Sequence, residues 1–309
     1  MLWDIVILFV CAIALLVASR IVYKQVVHIS LYLHIPTFLV SLLLVAFSTS
    51  IPELFVGVTS ALEGTPAFSL GDIFGSNIVN LTFIAGLVIL LGRKDIQLSN
   101  NVSNRLMLWT FAITSVPVFL LLDGKLSRMD GALLLTLYAL YLYFIISSQL
   151  HSSDVGHKSA AGLLRPVLLF FAGVALLIAS AEIMIHVASA MSERLHIAPF
   201  IVGVFALAFS TSLPELVFGL RVAFRRQPEL SLADVLGSCA VNATGILGVV
   251  ALIHPVVPEA LTAAIFTGFF GLFVYVVFFF MTSAGTIRAS RGAVLLIVYL
   301  IFVSFNLVW

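Results

Sequence analysis

The chain has 309 residues, 62% of them apolar and only 9% charged, with a mean hydropathy of +1.21. So little charge excludes a water-soluble globular protein, in which about a quarter of residues are charged. Fifteen Lys and Arg against fourteen Asp and Glu leave a net charge of +1, which argues against a nucleic-acid partner and against a solvating acidic tail.

Crossing a bilayer core of about 30 Å takes about 20 apolar residues in a helix. On that measure the chain predicts ten spans, at 3–22, 35–62, 69–91, 106–122, 129–148, 166–186, 199–224, 231–253, 261–281 and 293–308. None shows the alternation of a membrane β-barrel strand. The first stretch is longer than a signal-peptide core and lacks a basic start, so it reads as a retained helix. Cys11 and Cys239 both fall in apolar stretches and offer neither a disulfide framework nor a CxxC metal site.

Lys and Arg accumulate on the cytoplasmic side of membrane proteins. Here twelve of the fifteen lie in or at the edge of odd-numbered connections, and only Lys125, Arg128 and Arg194 lie elsewhere. The expectation is a multi-pass protein of the cell membrane with both termini outside. The polar stretch 149–165 falls at the midpoint and reads as a cytoplasmic linker between residues 1–148 and 166–309.

A shift of 162 residues lays the segment 46–80, from Ala46, onto 208–242, from Ala208, with eighteen of 35 positions identical. Leu33-His34-Ile35 also matches Leu195-His196-Ile197. Five spans per half is an odd number, so the halves enter the membrane in opposite senses. The predicted fold is thus all-α and polytopic, ten transmembrane helices as two inverted five-helix repeats, the plan of secondary transporters with a midplane site.

Each copy places a proline and a glutamate inside an apolar span: Pro52-Glu53 and Pro214-Glu215. A proline within a helix cannot donate to the carbonyl four residues back and clashes with it, which predicts a bend at Ser48 and at Ser210. Carbonyls freed in the membrane need protein or a cavity to satisfy them. A mid-membrane carboxylate costs on the order of 2.5–3.5 kcal/mol on insertion scales, so two at equivalent positions imply a paired use.

Glu53 lies 13 residues before the turn at Pro66, and Asn80 lies 14 after it. At about 1.5 Å per residue both sit about 20 Å from that turn, at one level. Glu215, Pro228 and Asn242 repeat the spacing. The predicted cluster joins Glu53, Glu215, Asn80 and Asn242 to the hydroxyls of Thr49, Ser50, Ser76, Thr211, Ser212 and Ser238. Its cation ligands are all oxygen, which suits hard cations, and calcium better than magnesium, which keeps its waters.

At these segments the sequence resembles the calcium/cation antiporter superfamily, most closely its prokaryotic sodium/calcium exchangers. The carriers are STSIPE followed by GSNIVN, and STSLPE followed by GSCAVN. The resemblance implies a sodium/calcium exchanger-like fold and electrogenic exchange of sodium for calcium. It further implies that Glu53 and Glu215 bind calcium and compete for sodium. Thr49, Ser50, Ser76, Thr211, Ser212 and Ser238, with the Ala46 and Ala208 carbonyls, would complete the sodium sites, and Asn80 and Asn242 would lie between them. The first and sixth helices look like the family's sliding pair. In two places the chain departs from its relatives: Ser48 and Ser210 stand where Gly is common, and Asn242 stands where close archaeal relatives carry Asp. The resemblance links Asn at that position to potassium-independent transport.

Simpler uses stay open for these side chains. A buried Glu can be a protonated structural group, Asn can pack helices, and hydroxyls can bond back to their own helix. Asp72 and Asp234, with Ser69 and Ser231, read first as helix-capping boxes and second as an ion-entry feature. Gly75 and Gly237 read as points of close helix approach. The seven histidines fall in connections or near span ends, so none is expected to relay protons at the midplane.

The expected function is antiport of calcium against sodium by alternating access. Proton/calcium exchange is the alternative, and a passive channel or a membrane hydrolase fits less well. No enzyme activity, cofactor or protein partner is expected; the partners are calcium, sodium and the lipid bilayer.

Overall fold

The computed structural model of the chain describes residues 2–32, 49–92, 96–97, 100–149, 164–225, 228–282 and 286–308. Its helices are α1 (Leu2–Tyr32), α2 (Ile51–Leu62), α3 (Ala67–Leu91), α4 (Asn100–Leu120), α5 (Arg128–Gln149) and α6 (Leu164–Leu195). They continue with α7 (Pro199–Thr211), α8 (Leu213–Phe224), α9 (Leu230–Ile253), α10 (Leu261–Thr282) and α11 (Ala289–Val308). Two dipeptide strands, β1 (Ile96–Gln97) and β2 (Thr286–Ile287), pair antiparallel with Ile96 opposite Ile287.

The fold is all-helical and built for a membrane. Six helices, α1, α3, α6, α9, α10 and α11, are long and apolar enough to cross one, and α7 with α8, bent by 43°, would make a seventh. Among the described residues the count stops there, short of the ten expected spans. The expected span 35–62 is described in part only, and the apolar helix Met107–Asp123 is shorter than a full crossing. Helices α1 and α6 overrun their expected ends, at 31 and 32 residues, so Arg20 and Lys24 ride on a helix rather than in a connection.

Helices α3 and α9 are the centre. Their apolar windows are 83% and 78% buried, against 22–39% for the other four long helices, whose outer faces expose Trp3, Phe9, Phe171, Phe273 and Phe280. Broad apolar surface of this kind belongs against lipid. Helices α1 and α6 lie together on one side, packing Leu15, Leu177, Met184 and Ile185 onto Ile51 and Val56 of α2 and Phe68 of α3. Asp4 and Arg194 join their ends by an ion pair of 3.1 Å.

Where α3 crosses α7 the backbones touch. A Cβ on Gly71 would fall 2.1 Å from the Phe200 carbonyl oxygen, one on Gly203 would fall 2.4 Å from that of Phe68, and one on Gly75 would fall 2.5 Å from that of Val204. Only hydrogen fits at such distances, and close approach through small residues is how helices pack in lipid. Gly75 thus serves the packing role expected of it.

Contacts in the first half recur in the second. Gly57 meets Ser69, Ile246 and Val250, and Gly219 meets Ser231, Ile84 and Val88, every number shifted by 162 in one direction or the other. Gly131 rests on the Gly248 carbonyl as Gly292 rests on that of Gly86. Each half's α-repeat segment is therefore packed into the other half, which brings the two copies of the motif to one place.

Candidate ion-binding site

Each Pro-Glu pair stands at the start of a new helix rather than in the middle of a bent one. Pro52 and Pro214 occupy the first turn of α2 and α8, where a missing N–H costs nothing and the ring's fixed φ suits the helix. The chain breaks at Ser50 (φ −86°, ψ 8°) and Ser212 (φ −77°, ψ 6°). In the second half this is two residues after the expected bend at Ser210, which is still helical, with its hydroxyl donating to the Ala206 carbonyl over 2.7 Å. Ser48, the equivalent position, lies outside the described residues. The break delivers Glu53 and Glu215 on the first turn of their helices, fully buried.

The asparagines sit where α3 and α9 widen. Asn80 opens a π turn (Asn80–Ile84) and Asn242 lies in another (Val241–Ile246). In both, a threonine hydroxyl bonds back four residues, Thr82 to Ile78 and Thr244 to Ala240, competing with the backbone ladder for that carbonyl. Such π turns are frequent at functional sites because they re-aim side chains.

Eleven of the twelve residues expected to form the site are described, and all eleven are buried; Ala46 lies outside the described residues. The halves meet through crossed contacts. Thr211 donates to Asp72 Oδ1 over 2.8 Å and stands 3.4 Å from Ser76 Oγ. Thr49 donates to Asp234 Oδ1 over 3.3 Å and stands 3.0 Å from Ser238 Oγ. The Ala208 carbonyl oxygen lies 3.4 Å from both Ser76 Oγ and Thr211 Oγ1. Back-bonding is real for Thr211, which also reaches the Leu207 carbonyl at 3.1 Å, so its hydroxyl is shared between helix and site.

Both oxygens of Glu53 and both of Glu215 have no hydrogen-bond partner among the described residues, although Ser238 stands beside Glu215. Nor do the Ser50 and Ser212 hydroxyls or either polar atom of Asn80. Glu53 lies within electrostatic reach of Asp72 and Asp234, and Glu215 within reach of Glu53 and Asp234. Idle buried polar atoms in this number are uncommon in a folded protein, where nearly all find partners. No Lys, Arg or His is buried among the described residues to neutralise them. Among the described residues no three His, Cys, Asp or Glu side chains converge on one point. An ion here must therefore draw on hydroxyl, amide and carbonyl oxygens as well as carboxylates.

Asp72 and Asp234 are not caps. Helix α3 begins after Pro66, so Asp72 is beyond its first turn, and its oxygen accepts from Thr211 and Ser76 rather than from backbone amides. Ser69 and Ser231, the supposed cap residues, have buried hydroxyls that are idle among the described residues. A capping box does occur, at Ser127 and Asp130 at the start of α5, where each side chain receives the other's backbone N–H. The signal for Asp72 was its spacing: 72, 76 and 80 are four apart and share one helix face, as do 234, 238 and 242. Asn77 was also missed. Its Nδ2 donates to the Cys239 carbonyl and its Oδ1 accepts from Asn242 Nδ2, both at 3.4 Å.

A family described as sodium/calcium exchanger protein matches residues 3–147 and 165–308, nearly the whole chain. The chain belongs to the sodium/calcium exchanger family. Its membership makes it an ion antiporter of the membrane. The Escherichia coli inner membrane protein YrbG is 29% identical over 232 residues, 72% of this chain and 71% of its own. The sodium/calcium exchanger MaX1 of Methanosarcina acetivorans is 23% identical over 340 residues, 97% of both chains. The solved structure of the sodium-calcium exchanger NCX_Mj, soaked with 10 mM Na+ and 10 mM Sr2+, shares the fold. Its TM-score is 0.68 at 23% identity, over 98% of this chain and 99% of that one.

Proposed function

We propose that this exchanger moves calcium against sodium by alternating access, with Glu53 and Glu215 binding calcium between the halves. Thr49, Ser50, Ser76, Asn80, Thr211, Ser212, Ser238 and Asn242, with the Ala208 and Ala46 carbonyls, supply the remaining oxygens. The observation that carries this reading is the pair of fully buried glutamates with four oxygens idle among the described residues, set where two equivalent oxygen-rich segments meet. Two carboxylates balance one divalent ion, and hydroxyls and carbonyls can fill the six to eight positions that calcium takes. The names of MaX1 and NCX_Mj point the same way.

The same reading takes the chain as ten membrane helices in two inverted five-helix repeats, 1–148 and 166–309, joined by the cytoplasmic linker 149–165, with both termini outside. The crossed contacts at a 162-residue offset support the repeat, and the twelve-to-three division of cations supports the orientation.

In proteoliposomes of purified protein, an outward sodium gradient should drive calcium uptake. Uptake that ignores sodium and follows a proton gradient would replace this reading with proton/calcium exchange. One observation favours that second reading: four carboxyl groups, Glu53, Glu215, Asp72 and Asp234, are buried in these segments, each able to carry a proton.

A further inference from the structure

Asp72 Oδ1, Ser76 Oγ, Thr211 Oγ1 and the Ala208 carbonyl oxygen form a knot of four oxygens with neighbouring distances of 2.8–3.4 Å. Only the 2.8 Å contact from Thr211 to Asp72 has the length of a good hydroxyl hydrogen bond, about 2.7–2.8 Å. All three contacts of Ser76 are 3.4 Å. Around a cation with oxygens at about 2.4 Å in octahedral array, adjacent oxygens lie about 3.4 Å apart. The knot has the spacing of a coordination shell more than that of a hydrogen-bond network.

The other half repeats it with Asp234, Thr49 and Ser238, at 3.3 and 3.0 Å. In each half the second oxygen of the aspartate, Oδ2, is buried and has no partner among the described residues. Glu53, buried with both oxygens idle among the described residues, lies within electrostatic reach of both aspartates. Charge completes the case. If Glu53 and Glu215 match one divalent ion, Asp72 and Asp234 are left over, and no buried cationic side chain among the described residues offsets them. A carboxylate kept out of water without a counter-charge is costly.

We propose that Asp72 and Asp234 are themselves cation ligands, each completing one monovalent, sodium-sized site that flanks the Glu53–Glu215 pair. Asp72 works with Ser76, Thr211 and the Ala208 carbonyl; Asp234 works with Ser238 and Thr49. Each aspartate reaches across to the threonine of the opposite half, so a sodium ion there ties the halves together. The inference rests on the sodium/calcium antiport reading and adds that each flanking site carries its own carboxylate.

The test uses full-length protein in proteoliposomes with Asp72→Asn, Asp234→Asn and the double variant. Asn keeps the shape and an oxygen to accept from Thr211 or Thr49, removes the charge and puts an NH2 donor in place of the second oxygen. The sodium concentration for half-maximal sodium-driven calcium uptake should rise about tenfold or more in each single variant, the scale of losing a charged partner. Calcium/calcium exchange without sodium should keep its half-saturating calcium to within about threefold. Unchanged sodium dependence would make the aspartates structural. Equal losses in both assays would assign them to the calcium pair; either result overturns the proposal.

Two further measurements keep it testable if these variants fold poorly. In detergent, sodium chloride should raise the unfolding temperature of the Glu53→Gln/Glu215→Gln variant relative to choline chloride, because the flanking sites survive; no sodium-specific rise overturns the proposal. If the unmodified protein shows no sodium-driven flux, the antiport reading fails. Sodium-specific stabilisation, lost in Asp72→Asn/Asp234→Asn, then decides the site alone.

Discussion

The segment of α3 around Asn80 and the segment of α9 around Asn242 carry the same motif, yet their asparagines are held differently. The difference comes from one position, Asn77 in the first half and Cys239 in the second, 162 residues apart and in contact. The Cys239 carbonyl can only accept, so Asn77 must face it with Nδ2 and turn Oδ1 toward Asn242. Asn242 must then donate through its own Nδ2, and its Oδ1 is left idle among the described residues. A short relay from a backbone carbonyl thus settles two amide orientations that distances alone would leave ambiguous. Asn80 has no such anchor: Cys239 offers its thiol to the Asn77 carbonyl at 3.9 Å, and both polar atoms of Asn80 are idle among the described residues. Pseudo-equivalent halves can therefore present a fixed oxygen on one side and a free amide on the other.

The largest effect tests what the halves share. Glu53→Gln and Glu215→Gln should each reduce calcium uptake in proteoliposomes to background with a retained far-ultraviolet spectrum; substantial uptake in either would make the glutamates unequal and remove that residue from the site. Next comes Asn242→Asp, which sets a carboxylate against Asn77 Oδ1, two acceptors face to face. Leaving them unsatisfied should lower stability by about 1–3 kcal/mol and alter sodium dependence. Thermal unfolding and sodium titration of flux check both, and Asn77→Cys should recover part of the stability loss in a double-mutant cycle.

Asn77→Cys alone makes the first half resemble the second and releases the Asn242 amide. One lost hydrogen bond is worth about 1 kcal/mol, so calcium affinity should weaken about fivefold. Equal affinity would mean that the relay does not position Asn242 for the ion. The smallest effect belongs to Cys239→Asn, which offers Asn80 the anchor it lacks. Calcium affinity should change by under about threefold, and the Asn77→Cys/Cys239→Asn variant, with the two residues exchanged, should come closer to the original than Asn77→Cys does.

Most of the candidate site was readable in advance because it is written twice. Repetition singled out Glu53 and Glu215, and the spacing to Pro66 and Pro228 pointed to Asn80 and Asn242, all four of which are buried. Three things were not readable. The break falls at Ser50 and Ser212 because a proline can begin a helix as readily as bend one. Asp72 and Asp234 were mistaken for caps because a Ser three residues before an Asp is a cap signal only if the helix starts there, and a helix start is among the least certain features of a sequence. Asn77 was overlooked because its importance lies in a partner 165 residues away.

By itself the sequence determined that this chain lives in a membrane, that it carries one 35-residue segment twice, and that two acidic residues sit where apolar surroundings make them costly. Those conclusions follow from composition, periodicity and identity at a fixed offset, all local or self-referential properties of the chain. The tertiary structure alone decided which side chains meet across the halves: Thr211 with Asp72, Thr49 with Asp234, and Asn242 with Asn77. Such pairings depend on how closely α3 can cross α7, and glycines 71 and 203 allow backbone contact there. Helix approach and rotation bring each oxygen to its neighbour, and no one-dimensional pattern records either.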